Sequence, residues 1–299
     1  MSGTMTIDNV ISRADIVKHA DRLGAEIKNL KLSDDLPDEV FIAFYRLVLE
    51  HKVIFFRDQG HLDGAQQQRF LLRFGSLIPS PTMVDTRGGF TAGKTLPDRA
   101  RSHIDQMENE VVFCATRPAI SMLWGSGIPP FGADIAWSSK AVAYLDLPNP
   151  LQMLADNLWA VSYAAFDLTA TERATENNKS GCGGASTGTI HETTYPIVRV
   201  HPETGERMLS LGRSVQNFVG LQRYPSQKLF ELLQSYLVAP RNTLRWKWQS
   251  GDVVIWDNRA TEPYPLNKIG NPYWAMDQRA IGARVPHMKR PKSRAAKAA

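Results

Sequence analysis

The sequence predicts a mainly β-sheet domain with flanking helices, arranged as a double-stranded β-helix, or jelly roll. The first observation is a series of short runs rich in β-branched and aromatic residues, separated by turns such as Pro202-Glu203-Thr204-Gly205. The second is a small number of helical segments between these runs. No internal repeat is visible, and no strong boundary divides the chain. We therefore expect one folded domain over 13–287 after a flexible start at 1–12.

The first third of the chain predicts a helix, a strand and a second helix. A helix is expected over 34–51, capped by Asp34 or Asp35, because apolar residues recur there at helical spacing. The run 52–57 is typical of a core strand. Asp63 is expected to begin the second helix, which ends at Gly75.

After the second helix, the sequence predicts two long loops, several short strands and two further helices. Two stretches rich in glycine and polar residues predict long loops, at 79–106 and 167–192. Helices are predicted over 138–160 and 226–238. Short strands are predicted at 111–114, 120–124, 197–200, 208–211, 244–248 and 253–256.

Composition limits the class of protein. The net charge of +5 equals the charge of the lysines and arginines after His287, so the folded body carries no basic excess that would indicate a nucleic-acid groove. We expect 288–299 to be a disordered basic tail. No apolar run is long enough for a membrane span. The two cysteines, Cys114 and Cys182, are far apart, which favours a reduced cytoplasmic location.

Several segments, in this order and spacing, resemble the TauD/TfdA family of taurine dioxygenase-like enzymes. They are Leu23–Ile27, Val53–Gln59, Arg73–Gly75, Tyr195–Arg207, Asn217–Leu221 and Trp256–Thr261. The resemblance extends from about Leu23 to Pro286 and is closest to the alkylsulfatase branch. It implies a TauD-like, clavaminate synthase-like jelly roll. Members of the family hold Fe(II) with His-x-Asp and a distant His, and bind 2-oxoglutarate with Thr and Arg.

At the positions that carry this chemistry in the family, the sequence has different residues. The His-x-Asp pair falls on Glu108 and Glu110, and the distal His falls on Pro263. The threonine falls on Ile135, and the two arginines of the last strand fall on Trp274 and Gln278. From these replacements we expect no metal site and no cofactor, since imidazole and guanidinium groups are missing.

The replaced residues indicate an altered pocket. Glu108 and Glu110 lie on the same side of a strand, and two close carboxylates make a general acid/base pair; alternatively they face solvent or pair with arginines. We expect a small, weakly charged organic ligand in an apolar pocket. Alternatively, the same side chains only fill the core. The expected ligand-binding residues are Asn109, Ile135, Trp137, Trp274 and Gln278.

Three functions remain open. The first, which we favour, is a repurposed enzyme that works through Glu108 and Glu110 without the usual Fe(II) triad and 2-oxoglutarate. The second is an inactive relative that binds a ligand or a partner. The third is an Fe(II)/2-oxoglutarate dioxygenase with displaced ligands, for which His103, Asp105 and His191 are the candidates. The expected partner is a small molecule, without nucleic acid or membrane, and a homo-oligomer is possible. His201 is expected to cap or pack a turn, and His51 to lie on the surface.

Overall fold

The computed structural model describes residues 11–20, 22–77, 116–127, 135–165, 190–212, 215–265 and 275–284. A seven-stranded sheet forms its largest layer. In spatial order this main sheet consists of β1 (Ile16–Lys18), β2 (Ala25–Ile27), β3 (Val53–Phe56), β13 (Val253–Asp257), β5 (Thr116–Gly127), β15 (Ala275–Arg284) and β4 (Ser76–Leu77). Of its described strand pairs, only β2–β3 is parallel.

A three-stranded minor sheet completes the jelly roll. It contains β12 (Thr243–Trp246), β6 (Ile135–Ser139) and β14 (Thr261–Pro265), paired antiparallel in that order. A third sheet contains β11 (Val215–Phe218), β7 (Trp159–Ala165) and β8 (Ile190–Pro196), and β9 (Val198–Val200) pairs with β10 (Arg207–Leu209). The predicted jelly roll with flanking helices is thereby confirmed.

Five α-helices flank these sheets in the described chain. They are α1 (Asp38–His51), α2 (Gly64–Leu72), α3 (Lys140–Leu145), α4 (Asn149–Asn157) and α5 (Arg223–Leu237). None of the described helices is both long and apolar enough to cross a lipid bilayer.

Strand β13 lies in the middle of the main sheet and shows how the layers pack. Val253 and Ile255 belong to the cluster that the sheet forms with α1 and α2. Val254 and Trp256, on the opposite face, belong to a second cluster between the main and minor sheets. Side chains alternate along a strand, so β13 separates a helix-covered core from the interior of the jelly roll.

The first helix begins later than predicted. It starts at Asp38 after Pro37, and no side chain caps it. Asp34, one of the expected caps, instead pairs with Arg69 of α2. The end at His51 is as predicted, but His51 is buried rather than on the surface. Its spacing from Phe44 and Val48 carried that signal, because residues three and four apart share one helix face.

The other predicted elements can be compared with the structure only in the described ranges; the strand expected at 111–114, the loop at 79–106 and most of the loop at 167–192 lie outside them. Asp63 caps α2 through a capping box with Gln66. The strand expected at 52–57 is β3, and all four of its residues are buried. The single helix expected over 138–160 is wrong, because the segment consists of the end of β6, then α3 and α4, and the start of β7. Pro148 separates the two helices because proline restricts the residue before it away from helical geometry.

Candidate functional site

Strands β6 and β14 carry three positions that the resemblance assigns to the site region. In their antiparallel register, Pro263 lies opposite Trp137 and Pro265 opposite Ile135. Ile135 is 1% exposed and Trp137 is fully buried, and both belong to the cluster between the two sheets. Two of the predicted ligand-binding residues therefore lie together inside the jelly roll.

Neighbouring elements surround this pair with apolar groups. The Trp137 ring packs edge-on against Phe55, with centroids 5.6 Å apart, and against Trp256, at 5.8 Å. Leu123 of β5 belongs to the same cluster. Gln278 of β15 pairs in register with Leu123, which brings the backbone of a third predicted position to the strand next to the cluster.

The structure does not describe most of the other predicted site residues. Glu108, Asn109, Glu110 and Trp274 lie outside the described residues, as do His103 and Asp105. His191 was assigned to the loop 167–192, but residues 190–192 belong to strand β8, where His191 pairs with Ala164. It is thus on a different sheet from position 263.

A buried ionic network holds the turn between β13 and β14. Asp257 is 1% exposed and accepts three hydrogen bonds from the Arg259 guanidinium, Nε to Oδ1 at 2.9 Å and to Oδ2 at 3.2 Å, and Nη2 to Oδ2 at 2.6 Å. The Arg259 amide also donates to Asp257 Oδ1. Thr261 donates its hydroxyl to the Asp257 carbonyl at 2.7 Å. Hydrogen bonds within the turn therefore fix the place where β14 begins.

His201 connects this turn to the β9–β10 hairpin. Its Nδ1 accepts the backbone N–H groups of Glu203 (3.2 Å) and Thr204 (3.0 Å), so its Nε2 carries the proton and donates to Asp257 Oδ2 at 3.0 Å. The prediction that His201 caps or packs a turn is confirmed. Its bond to Asp257 was missed, because the two residues are far apart in sequence.

Glu203 extends the network to the first helix. It accepts a bond from Arg259 Nη1 at 2.6 Å and from the Tyr45 hydroxyl of α1 at 2.7 Å. Lys52, directly after α1, forms a 3.0 Å ion pair with Glu206 of the same hairpin. The 201–207 turn thereby joins α1 to the turn that precedes position 263. We call the residues Tyr45, His201, Glu203, Asp257 and Arg259 the turn network.

The charges of the turn network are strongly stabilised. Burial opposes the ionisation of Asp257, yet hydrogen bonds from His201 and Arg259 lower its pKa to about 2. Burial alone would lower the pKa of Arg259, but its bonds to Asp257 raise it. Burial, with the hydrogen bond to Glu203, raises the pKa of Tyr45 to about 12. Asp257 and Arg259 thus remain an ion pair at neutral pH.

The described site positions, 135 and 263, have no side-chain donor atoms that could bind a metal ion. Pro263 has no donor atom in its side chain, and Ile135 is a buried hydrocarbon. Within the described ranges, no three His, Cys, Asp or Glu side chains cluster in a way that could hold an ion. The dicarboxylate and iron arrangement that the resemblance implies therefore does not fit positions 135 and 263.

Comparisons with known proteins give a consistent result. The profile of the "Taurine catabolism dioxygenase TauD, TfdA family" matches residues 15–261. An alkylsulfatase from Acinetobacter baylyi is 37% identical over 90% of this chain and 84% of its own length. An alpha-ketoglutarate-dependent sulfate ester dioxygenase from Pseudomonas putida is 37% identical over 91% of this chain and 90% of its own.

A solved structure agrees with this assignment. A taurine dioxygenase from Burkholderia xenovorans superposes with a TM-score of 0.71 at 27% identity, covering 91% of this chain and 90% of that one.

These findings overturn one expectation from the sequence. The prediction of no cofactor is wrong, because the related proteins include several named as alpha-ketoglutarate-dependent dioxygenases, which point to Fe(II) and 2-oxoglutarate.

Proposed function

Because the chain belongs to the TauD/TfdA family, we propose that it is an enzyme acting on a small organic molecule of the sulfate ester class, with Fe(II) and 2-oxoglutarate as its cofactors. The observation that carries this proposal is the 37% identity to an alkylsulfatase and a sulfate ester dioxygenase over most of both chains. The shared jelly roll supports it. Since position 263 is proline, the proposal requires iron ligands other than a side chain at that position.

We place the reacting carboxylates at Glu108 and Glu110, where the resemblance puts the family's His-x-Asp pair. Asn109 and Trp274 remain proposed ligand contacts beside them, together with Ile135, Trp137 and Gln278. The interior position of Ile135 and Trp137 supports this part of the proposal. His103, Asp105 and His191 remain the alternative metal ligands.

The direct test is turnover of an alkyl sulfate. The full chain is supplied with Fe(II), 2-oxoglutarate and hexyl sulfate under air, and the release of sulfate and succinate is measured. We expect both products in equal amounts, and neither when Fe(II) is omitted. Absence of both products across a series of alkyl chain lengths would refute the proposed activity.

Two variants test the carboxylates. We expect Glu108→Gln and Glu110→Gln each to lower turnover by about 100-fold or more, the usual effect of removing a group that transfers a proton. Glu231→Gln is the matched control, because Glu231 lies exposed on α5 and pairs only with neighbours on that helix. Unchanged turnover in both variants would remove these residues from the proposal.

A second candidate is favoured by Ile135 and Pro263, which replace a hydroxyl and an imidazole with hydrocarbon. In this case the protein binds the organic molecule without converting it. A rise in melting temperature with hexyl sulfate, but no release of sulfate or succinate, would establish binding alone.

A further inference from the structure

Among the described residues, the Trp137 indole N–H has no hydrogen-bond acceptor, although the side chain is fully buried. Two other tryptophans of the same interior cluster are paired. Trp246 donates to Asp252 Oδ2 at 3.0 Å, and Trp256 donates to Asn258 Oδ1 at 2.7 Å. The faces of neighbouring aromatic rings accept an N–H only weakly. Trp137 therefore carries a donor that folding leaves unused.

Trp137 differs from the other unpaired indoles of the described chain. Trp248 is 8% exposed and Trp124 is only partly buried, so a small movement brings their N–H groups to water. Trp137 lies between the two sheets, two residues from Ile135 and opposite Pro263. It is thus both the most buried of the three and the one at the altered site.

A buried donor without an acceptor lowers the stability of the fold, because the group loses its hydrogen bond to water and gains none in the protein. Such a donor is therefore available to a ligand that brings an acceptor of its own. The partner must supply an oxygen or nitrogen acceptor at the interior end of the site.

The surroundings indicate the charge of that partner. Ile135, Leu123, Phe55 and Val254 belong to the cluster around Trp137, and all are apolar. Arg57, which stacks on Trp246 of this cluster, is already paired with Asp252. A carboxylate or sulfate group beside Trp137 would lose its hydration without a counter-charge, but an uncharged oxygen would not.

We propose that the Trp137 N–H is a specificity-determining donor for an uncharged oxygen, such as a carbonyl, ether or ester oxygen, on the apolar part of the ligand. The inference rests on the proposed function, in which the interior of the jelly roll receives a small organic molecule. A charged end of that molecule stays away from the Ile135–Trp137 pair.

The first test uses the protein without ligand. Trp137→Phe removes the unpaired donor, and Trp256→Phe is the matched control that removes a paired one. Both substitutions remove the same ring volume from the core, so we expect both variants to melt below the wild type, and Trp256→Phe to melt lower than Trp137→Phe because Asn258 also loses its donor. Equal destabilisation by the two substitutions would overturn the proposal.

The second test measures binding with two probes of similar length, hexanone and hexanoate, by calorimetric titration of the wild type and Trp137→Phe. We expect hexanone to bind the wild type more tightly than hexanoate, and about tenfold more weakly to Trp137→Phe, as for one lost hydrogen bond. Undetectable hexanone binding, or equal affinity in both proteins, would overturn the proposal. Neither readout needs turnover, so a failure to release sulfate from hexyl sulfate would count against the proposed function alone.

Discussion

The chain from the end of β13 into β14 contains two regions that differ sharply within seven residues. At its turn, Asp257 and Arg259 form a buried ion pair in which the carboxylate accepts bonds from three groups. At position 263 the chain has a proline that contributes no polar group from its side chain. The turn keeps the residues of the resembling family, whereas position 263 departs from them.

The difference teaches that the geometry and the chemistry of this segment are specified separately. The turn network joins α1, the 201–207 turn and β14, and removing the Asp257 charge would leave the Arg259 guanidinium without its buried counter-charge. Within the described residues, position 263 lies opposite Trp137 of β6, where an apolar side chain needs no polar partner. A jelly roll of the same shape can therefore carry a different site.

The largest loss of stability is expected for Asp257→Asn, which removes the negative charge at the centre of the turn network. The substitution leaves the Arg259 guanidinium buried without its counter-charge, and we expect a loss of about 3–5 kcal/mol in the free energy of unfolding. Urea denaturation measures it. Glu203→Gln is the control, since Glu203 is partly exposed and its loss should cost less than about 1 kcal/mol. Similar losses in both variants would mean that the turn network is not centred on Asp257.

Acid denaturation also tests how much the ionised Asp257 stabilises the fold. The pKa of Asp257 falls from 3.8 to about 2 on folding, so its ionised form stabilises the native state by about 2 kcal/mol. Because the folded-state pKa is the lower one, this contribution is complete above about pH 4 and is lost as the pH falls towards 2. We expect the stability difference between wild type and Asp257→Asn to shrink over that range. A difference independent of pH would contradict the assignment.

At the altered region, Ile135→Thr and Ile135→Val form a matched pair, because threonine and valine have the same shape. Burying the extra hydroxyl without a partner should make the threonine variant about 1–3 kcal/mol less stable than the valine variant. Thermal unfolding of both proteins measures the difference. Equal stability would show that the pocket still accepts a hydroxyl, as in the resembling family.

The smallest effect on stability is expected for Pro263→His. The backbone change should alter the free energy of unfolding by less than about 1 kcal/mol. The new imidazole should raise the affinity for Fe(II) or Co(II), measured by anaerobic titration, relative to Pro263→Ala. An unchanged affinity would mean that position 263 no longer faces a metal-binding environment.

Much of the fold was predictable because its signals are local. The β-branched run of β3, the Asp63 cap of α2 and the turn at 202–205 each depend on a few adjacent residues, and all agree with the structure. The late start of α1 was not predictable, since Asp34 pairs with Arg69, which lies on another helix. The strand β6 within the segment predicted as helix likewise depends on its pairing with β12 and β14.

The candidate site likewise has features that the sequence predicted and features that it did not. The identities of Ile135 and Pro263, and the absence of imidazole and hydroxyl groups there, can be read from the sequence beside the family pattern. The expectation that these losses remove the cofactors did not hold against the relatives, because missing residue types at given positions do not exclude ligands supplied from elsewhere.

The sequence alone determined the family, the local caps and turns and the residue types at the altered positions, since these depend on local pattern and composition. Only the tertiary structure decided that His201 bonds to Asp257 and that the Trp137 N–H lacks an acceptor among the described residues. Each of these facts depends on groups brought together from distant parts of the chain, and the burial and hydrogen bonding of a polar atom exist only after that packing.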